Sequence, residues 1–384
     1  MGPPAPDGGA QMAAVVQGLG GPDWAELIAE DDAAGGLHTL RRAVAARYSA
    51  LGLPTRPEQV VVTGGTRAGL RLVCAGYLEH GAPVAVEEPT SPLALEVFGA
   101  AGARLLPVAG DRSGVRPSAV RRRFEQDAPR LLYLTPARPG TTMPAARRRG
   151  IAALAGRFGI PIVEDGTPAD LGLDPDGRLP PLAAVDGGAP VLSLGSMQEL
   201  FWPELRVDWI RAPEAIAEAL VRMQAELGGA ARPAAQFLAT RLLDKGGQVV
   251  AERRAELARR LRRLAAVLAD LLPSWTWAPG EDGASVWVFL PAGSATVLAE
   301  RAEQAGVVVR PGPGQPPEPQ AHGPPGPQID GPRPLRAGMS EADERLLLPL
   351  TADPELLEEG VRRLARAWAG YGGGVGLRLG PSLT

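Results

Sequence analysis

Seven short apolar runs recur along the first half of the chain, at residues 59–63, 83–87, 103–108, 130–135, 160–165, 190–195 and 206–212. A strand with one wet face would alternate polar and apolar residues; these runs are nearly continuous, as in strands covered on both faces. The stretches between them are amphipathic at helical spacing, as in LHTLRRAVAARYSALG and RRGIAALAGRFG, the second closing on a glycine as helix C-termini do. This alternation predicts an α/β fold with a mostly parallel, seven-stranded sheet. It forms one large domain over residues 45–212, after an N-terminal arm and first helix at 1–44.

Two longer helical patterns follow over residues 213–270, the second broken at Gly246 and Gly247. Strand-like runs then return as SWTW, SVWVFLP, GVVVRPG and RLLLPL, with a helix after the second and the fourth. They predict a smaller C-terminal α/β domain over 271–370. Within it, residues 311–334 are too rich in Pro and Gly for regular structure and are expected to be disordered. The first ten residues and the tail 371–384 are expected to fray for the same reason.

Charge and cysteine use narrow the function. Forty basic against 43 acidic residues give a net charge of -3, which supplies no field for nucleic acid or an anionic membrane. Basic clusters such as VRRRFEQ and ERRAELARRLRRL fall on helical patterns and read as solvated faces, so no nucleic-acid partner is expected. No apolar run reaches the ~18 residues that span a bilayer, and the N-terminus lacks a signal-peptide layout. With one cysteine, Cys74, set in the apolar run LRLVCAGYL, a reducing cytoplasm, a buried thiol and a small-molecule partner are expected. No metal is expected.

Five landmarks in order, VVVTGGTRAGL, VEEPTSP, YLTPARPG, PIVEDG and LGSMQELFWPELRVDW, resemble the fold type I pyridoxal phosphate enzymes, in the aminotransferase-like branch found in MocR-type regulators. The similarity runs from about Gly35 to Trp368. MocR-type proteins begin with a winged-helix DNA reader, and the residues before the first landmark are expected to be too few for one. The resemblance implies that Gly65 and Thr66, at a strand-to-helix loop, cradle the cofactor phosphate together with Ser196 and Arg206. Read without it, the same loop is a tight turn that needs glycine. The resemblance also implies that Asp165 pairs with the pyridine nitrogen; alone it reads as a helix cap or a strand-end charge.

The match breaks at the family's most important position. Where the pattern Gly, Ser, any, Ser, Lys has its lysine, this chain has Glu199, and its one lysine is Lys245, far downstream in DKGG. General drift from lysine to arginine would have left arginine there, whereas glutamate reverses the charge. Other positions shift too: Ser91 replaces the aromatic that stacks on the ring, Gly166 and Thr167 follow the Asp, Glu204 and Asp208 add carboxylates around Arg206, and Phe201 and Trp202 add bulk. Arg345, in RLLLPLTADPELLEEG, matches the arginine that grips a substrate carboxylate, with Arg336 as rival and a surface role open for both. Ser91 and Trp202 are the other candidate substrate contacts.

These departures predict no covalently held cofactor, with pyridoxal or pyridoxamine phosphate bound noncovalently as the alternative. The expected function is a repurposed biosynthetic enzyme, a homodimer, using Glu199 for acid-base catalysis on a small organic acid. A non-catalytic ligand sensor or partner subunit is the other reading.

Overall fold

The computed structural model describes residues 35–88, 90–111, 113–138, 141–167, 180–185, 187–198, 201, 205–244, 246–279, 285–311, 345–350 and 353–371. The Pro/Gly-rich stretch from 312 on, the first ten residues and the tail after 371 lie outside them. The chain divides into two compact units, Met1–Ala255 with Glu281–Gly283 and Glu256–Gly280 with Ala284–Thr384.

The large unit runs α1 (His38–Ala50), β1 (Val60–Thr63), α2 (Thr66–Tyr77), β2 (Pro83–Glu88), α3 (Pro92–Ala100), β3 (Arg104–Asp111), β4 (Gly114–Val115), α4 (Pro117–Asp127), β5 (Leu131–Leu134), β6 (Ala137–Arg138), β7 (Thr141–Thr142), α5 (Ala145–Phe158), β8 (Ile162–Asp165), β9 (Val191–Ser196), β10 (Asp208–Arg211), α6 (Glu214–Leu227) and α7 (Pro233–Asp244). Its main sheet has the order β1-β10-β9-β8-β5-β2-β3-β4. Strands β3, β2, β5, β8 and β9 are parallel neighbours, while β10 lies antiparallel between β9 and β1. The apolar runs thus form an α/β sheet as expected. The short β4, which folds back on β3, makes the eighth strand.

Strand residues alternate between two buried faces, which is why their runs are apolar throughout. Val61, Tyr133, Val163, Leu192, Leu194 and Ile210 pack with α2, α3 and α6 on one face. On the other, Leu132, Leu134 and Ile162 pack against α4 and α5, and Val60, Val62 and Trp209 against α1 and α7. Gly195 is required here: a Cβ at that position would run into the indole of Trp209, whose Nε1 donates to the Tyr48 hydroxyl at 3.2 Å. Cys74 is buried on α2, and burial pushes its thiol up to about 11, which keeps it unreactive.

The small unit has an antiparallel sheet of β11 (Thr276–Pro279), β12 (Ser285–Phe289), β14 (Arg345–Pro349) and β13 (Arg310–Pro311), in that order, with helices α9 (Ala295–Gln304) and α10 (Pro354–Tyr371). A further helix, α8 (Gly246–Leu271), lies between α7 and β11 in the chain. Among the described residues no helix is long and apolar enough to cross a membrane.

Candidate functional site

In an open α/β sheet, ligands bind outside the carboxyl ends of the parallel strands. At that edge this chain concentrates its buried polar side chains. Thr63, Asp165 and Ser196 end β1, β8 and β9, and Asp208 begins β10, which runs the other way and so starts where the others stop. All four are buried. Pairing places Asp208 opposite both Thr63 and Ser196, so these side chains share one face of the sheet.

Two carboxylates, Asp165 and Asp208, organise the edge. Asp165 accepts at Oδ1 from the Thr167 backbone N–H (3.0 Å) and hydroxyl (2.7 Å), and at Oδ2 from the Tyr133 hydroxyl (2.5 Å). A carboxylate offers about four acceptor sites, so one remains on Oδ2. Burial first, and the Asp165 charge second, push the Tyr133 hydroxyl well above the ordinary phenol range, so it stays a donor; the Ser91 side chain also bonds to it.

Asp208 takes three side-chain donors. It accepts from Ser196 Oγ (2.7 Å), Thr66 Oγ1 (2.6 Å) and Gln198 Nε2 (2.8 Å). Burial pushes its carboxyl up against these bonds. A folded pKa above the unfolded one means that the native state holds the proton more tightly. The stability this contributes is therefore present at acid pH and lost as pH rises through the raised value. We expect wild type to lose stability relative to Asp208→Asn as pH rises from about 4 toward neutrality, read as the difference in their Tm across that range. A constant difference would contradict it.

The residues singled out from the sequence fall as follows. Gly65 precedes α2 with φ 118, a backbone conformation that favours glycine, and Thr66 opens that helix. Thr66 and Ser196 meet on one acceptor, Asp208, which the sequence had placed around Arg206 instead. Arg206 is exposed, has φ 49, and is not among the donors to Asp208. Ser91 caps the start of α3. Arg345 is buried in the small unit, its guanidinium 4.4 Å from the centre of the Trp287 ring. Glu199, Trp202, Glu204, Lys245 and Arg336 lie outside the described residues. Sequence reasoning missed Tyr133, Gln198 and the inward turn of Asp208. The first had a signal, as the one polar residue in the strand LLYL.

On the opposite face of the same strands, Glu164 accepts from the Leu182 N–H (2.6 Å) and the Ser193 hydroxyl (2.7 Å) and stands 3.6 Å from the Arg148 guanidinium. Arg148, Glu164 and Ser193 line a cavity with Tyr48 and Trp209 that Asp165 and Gly166 also border.

No protein-family profile matches the chain. A 2-aminoadipate transaminase from Thermus thermophilus is 30% identical over 331 residues, covering 82% of this chain and 76% of the transaminase. An uncharacterized HTH-type transcriptional regulator, YdfD of Bacillus subtilis, is 28% identical over 281 residues, or 70% of this chain. The chain spans 57% of that regulator's length. The crystal structure of LysN, an α-aminoadipate aminotransferase also from Thermus thermophilus, superposes with a TM-score of 0.75 at 27% identity, covering 96% of this chain and 91% of LysN. LysN is complexed there with N-(5'-phosphopyridoxyl)-L-leucine.

These likenesses correct the expectation about the cofactor. A reading with no covalently held cofactor, and a noncovalent one only as alternative, does not stand against a transaminase relative and a solved neighbour that carries a phosphopyridoxyl group. The expectation rested on substituted positions, Glu199 first among them, whereas Asp165, Thr66 and Ser196 stand together as buried or part-buried side chains at the same sheet edge.

Proposed function

Because the chain belongs to the aminotransferase family of fold type I pyridoxal phosphate enzymes, we propose that its large unit binds a pyridoxal-class cofactor with Asp165 as partner of the ring nitrogen. The substrate in this reading is a small amino or organic acid. One observation carries it: Asp165 is buried at the ligand-binding edge, held by Tyr133 and Thr167, with one acceptor site left for a ring N–H. When bound, the cofactor's protonated ring supplies an electron sink for the carbon next to its amino group.

The chain's own residues do the rest. Thr167 fixes the Asp165 carboxylate in one orientation through both its N–H and its hydroxyl, and Tyr133 donates to its other oxygen. Burial in a low-dielectric edge strengthens the pairing of Asp165 with a cationic ring N–H. We assign the proton transfer at the reacting carbon to Glu199, at the family's lysine position in LGSMQE, because a carboxylate can hold and move a proton there. A homodimer is part of the reading, with an interface above the ~1,200 Å² typical of stable association.

The experiment is to supply purified protein with pyridoxamine or its phosphate and a panel of small oxo acids, and to follow the absorbance of the ring and the amino acids formed. Ring-dependent amino transfer supports the reading; ring binding without turnover on any acid contradicts its catalytic part. A second reading, a ligand-sensing module, is favoured by the likeness to HTH-type regulators such as YdfD. It would give binding, no turnover, and a change in conformation or assembly when the ligand binds.

A further inference from the structure

At the sheet edge that carries Asp165, the end of β9 and the starts of α2 and β10 gather donors around one anion. Thr66 at the start of α2 and Ser196 at the end of β9 present their hydroxyls to the same point, beside the amide of Gln198. Thr66 and Ser196 are two of the residues that the sequence resemblance places at a phosphate. What their hydroxyls bind in this protein is the carboxylate of Asp208, which is 1% exposed. The only cation that the resemblance assigns to a phosphate here, Arg206, is exposed and makes none of these bonds.

We propose that Asp208 is a specificity-determining residue: its carboxylate takes the place of a ligand phosphate, so the pocket favours an unphosphorylated pyridine-ring ligand over the phosphate ester. The physical argument has two parts. A phosphate bearing close to two negative charges would have to approach a buried carboxylate at contact distance, where repulsion is poorly screened. It would also have to take the Thr66 and Ser196 hydroxyls from Asp208, leaving a buried carboxylate with only the Gln198 amide of its three side-chain donors. A hydroxymethyl group in the same place brings no negative charge and leaves these hydrogen bonds intact. The sequence of β10 makes the arrangement stable: Trp209 anchors the strand on one face against Gly195, which fixes Asp208 on the other.

This inference rests on the reading that the ring sits at Asp165, and the test separates the two. Binding of pyridoxamine, pyridoxamine phosphate and inorganic phosphate is measured by calorimetry on the full chain, for wild type, Asp208→Asn and Asp208→Ser. The serine variant empties the position if the asparagine variant does not fold. Wild type is expected to bind pyridoxamine at least as tightly as its phosphate. The Asp208 variants are expected to raise affinity for the phosphate ester, relative to that for pyridoxamine, on the order of 100-fold, the size of removing one close like-charge contact. Adding Ser196→Ala to Asp208→Asn should take back part of that gain, which places the phosphate at these hydroxyls.

If wild type prefers the phosphate ester by the same factor as the variants, Asp208 does not set specificity and the proposal is overturned. If the ring ligands bind to no variant but inorganic phosphate binds only when Asp208 is replaced, the cup stands and the ring reading fails. If nothing binds to any of them, both fall.

Discussion

Replacing Arg148 with methionine is expected to lower the free energy of unfolding by about 3–5 kcal/mol, the cost of leaving the other half of a buried ion pair alone. Arg148 is buried on α5, donates to the Pro180 carbonyl, and stands 3.6 Å from Glu164 Oε1. Glu164 is itself buried inside the sheet, where burial pushes its carboxyl up even with Arg148 and two hydrogen bonds holding it down. Without the guanidinium, Glu164 keeps the Leu182 N–H and the Ser193 hydroxyl but no cation. Its pKa rises further, so the variant binds a proton that wild type does not. The loss should therefore grow as pH rises above the ordinary carboxylate range. The double variant Arg148→Met with Glu164→Gln has no charge left to strand, and its loss should be well below the sum of the single losses. Denaturant unfolding at pH 5 and pH 8 checks both statements; additive losses independent of pH would show that the pair is not coupled.

The second large effect is catalytic. If Glu199 moves the proton in the reaction, Glu199→Gln keeps its shape and removes the ionisable group, and kcat/KM should fall at least ~100-fold with Tm unchanged. Such a loss matches about 2.7 kcal/mol of transition-state stabilisation. It is read once an acid substrate of the ring-dependent reaction is in hand. Activity within a few-fold of wild type would move the role to another residue, and a fall in Tm would make Glu199 a structural partner instead.

How much of this was legible in the sequence depends on what decides each feature. Strands β1, β2, β3, β5, β8, β9 and β10 each fall in an apolar run, because strands covered on both faces have no polar alternation to hide them. β4 and the β6–β7 hairpin, at two residues a strand, are too short to leave a pattern. Gly65 and Asp165 were legible because a loop that needs glycine and a carboxylate ending an apolar strand are local facts. Asp208 was not, because its direction is set by register. Its pairing with Thr63 and Ser196 turns it inward, while from the sequence it stands two residues from Arg206 and looks like that residue's partner. Arg206 leaves the strand path in the left-handed region, which spacing alone does not foretell. The cofactor expectation failed for a related reason: it followed substituted positions, Glu199 first, whereas the likeness to the transaminase spans most of the chain.

Asp165 and Asp208 are both buried carboxylates at one sheet edge, the first held by Tyr133 and Thr167, the second by the Thr66 and Ser196 hydroxyls and the Gln198 amide. The account therefore assigns ligand binding to the first and ligand selection to the second. Its central claim, that a pyridine ring nitrogen is bound at Asp165, is tested most directly by calorimetric titration of wild type and Asp165→Asn with pyridoxamine at pH 7. The account predicts saturable binding by wild type and a loss of about 2–5 kcal/mol in the variant, the cost of removing one partner of a buried, charged hydrogen bond. Equal affinity in the two proteins would contradict it.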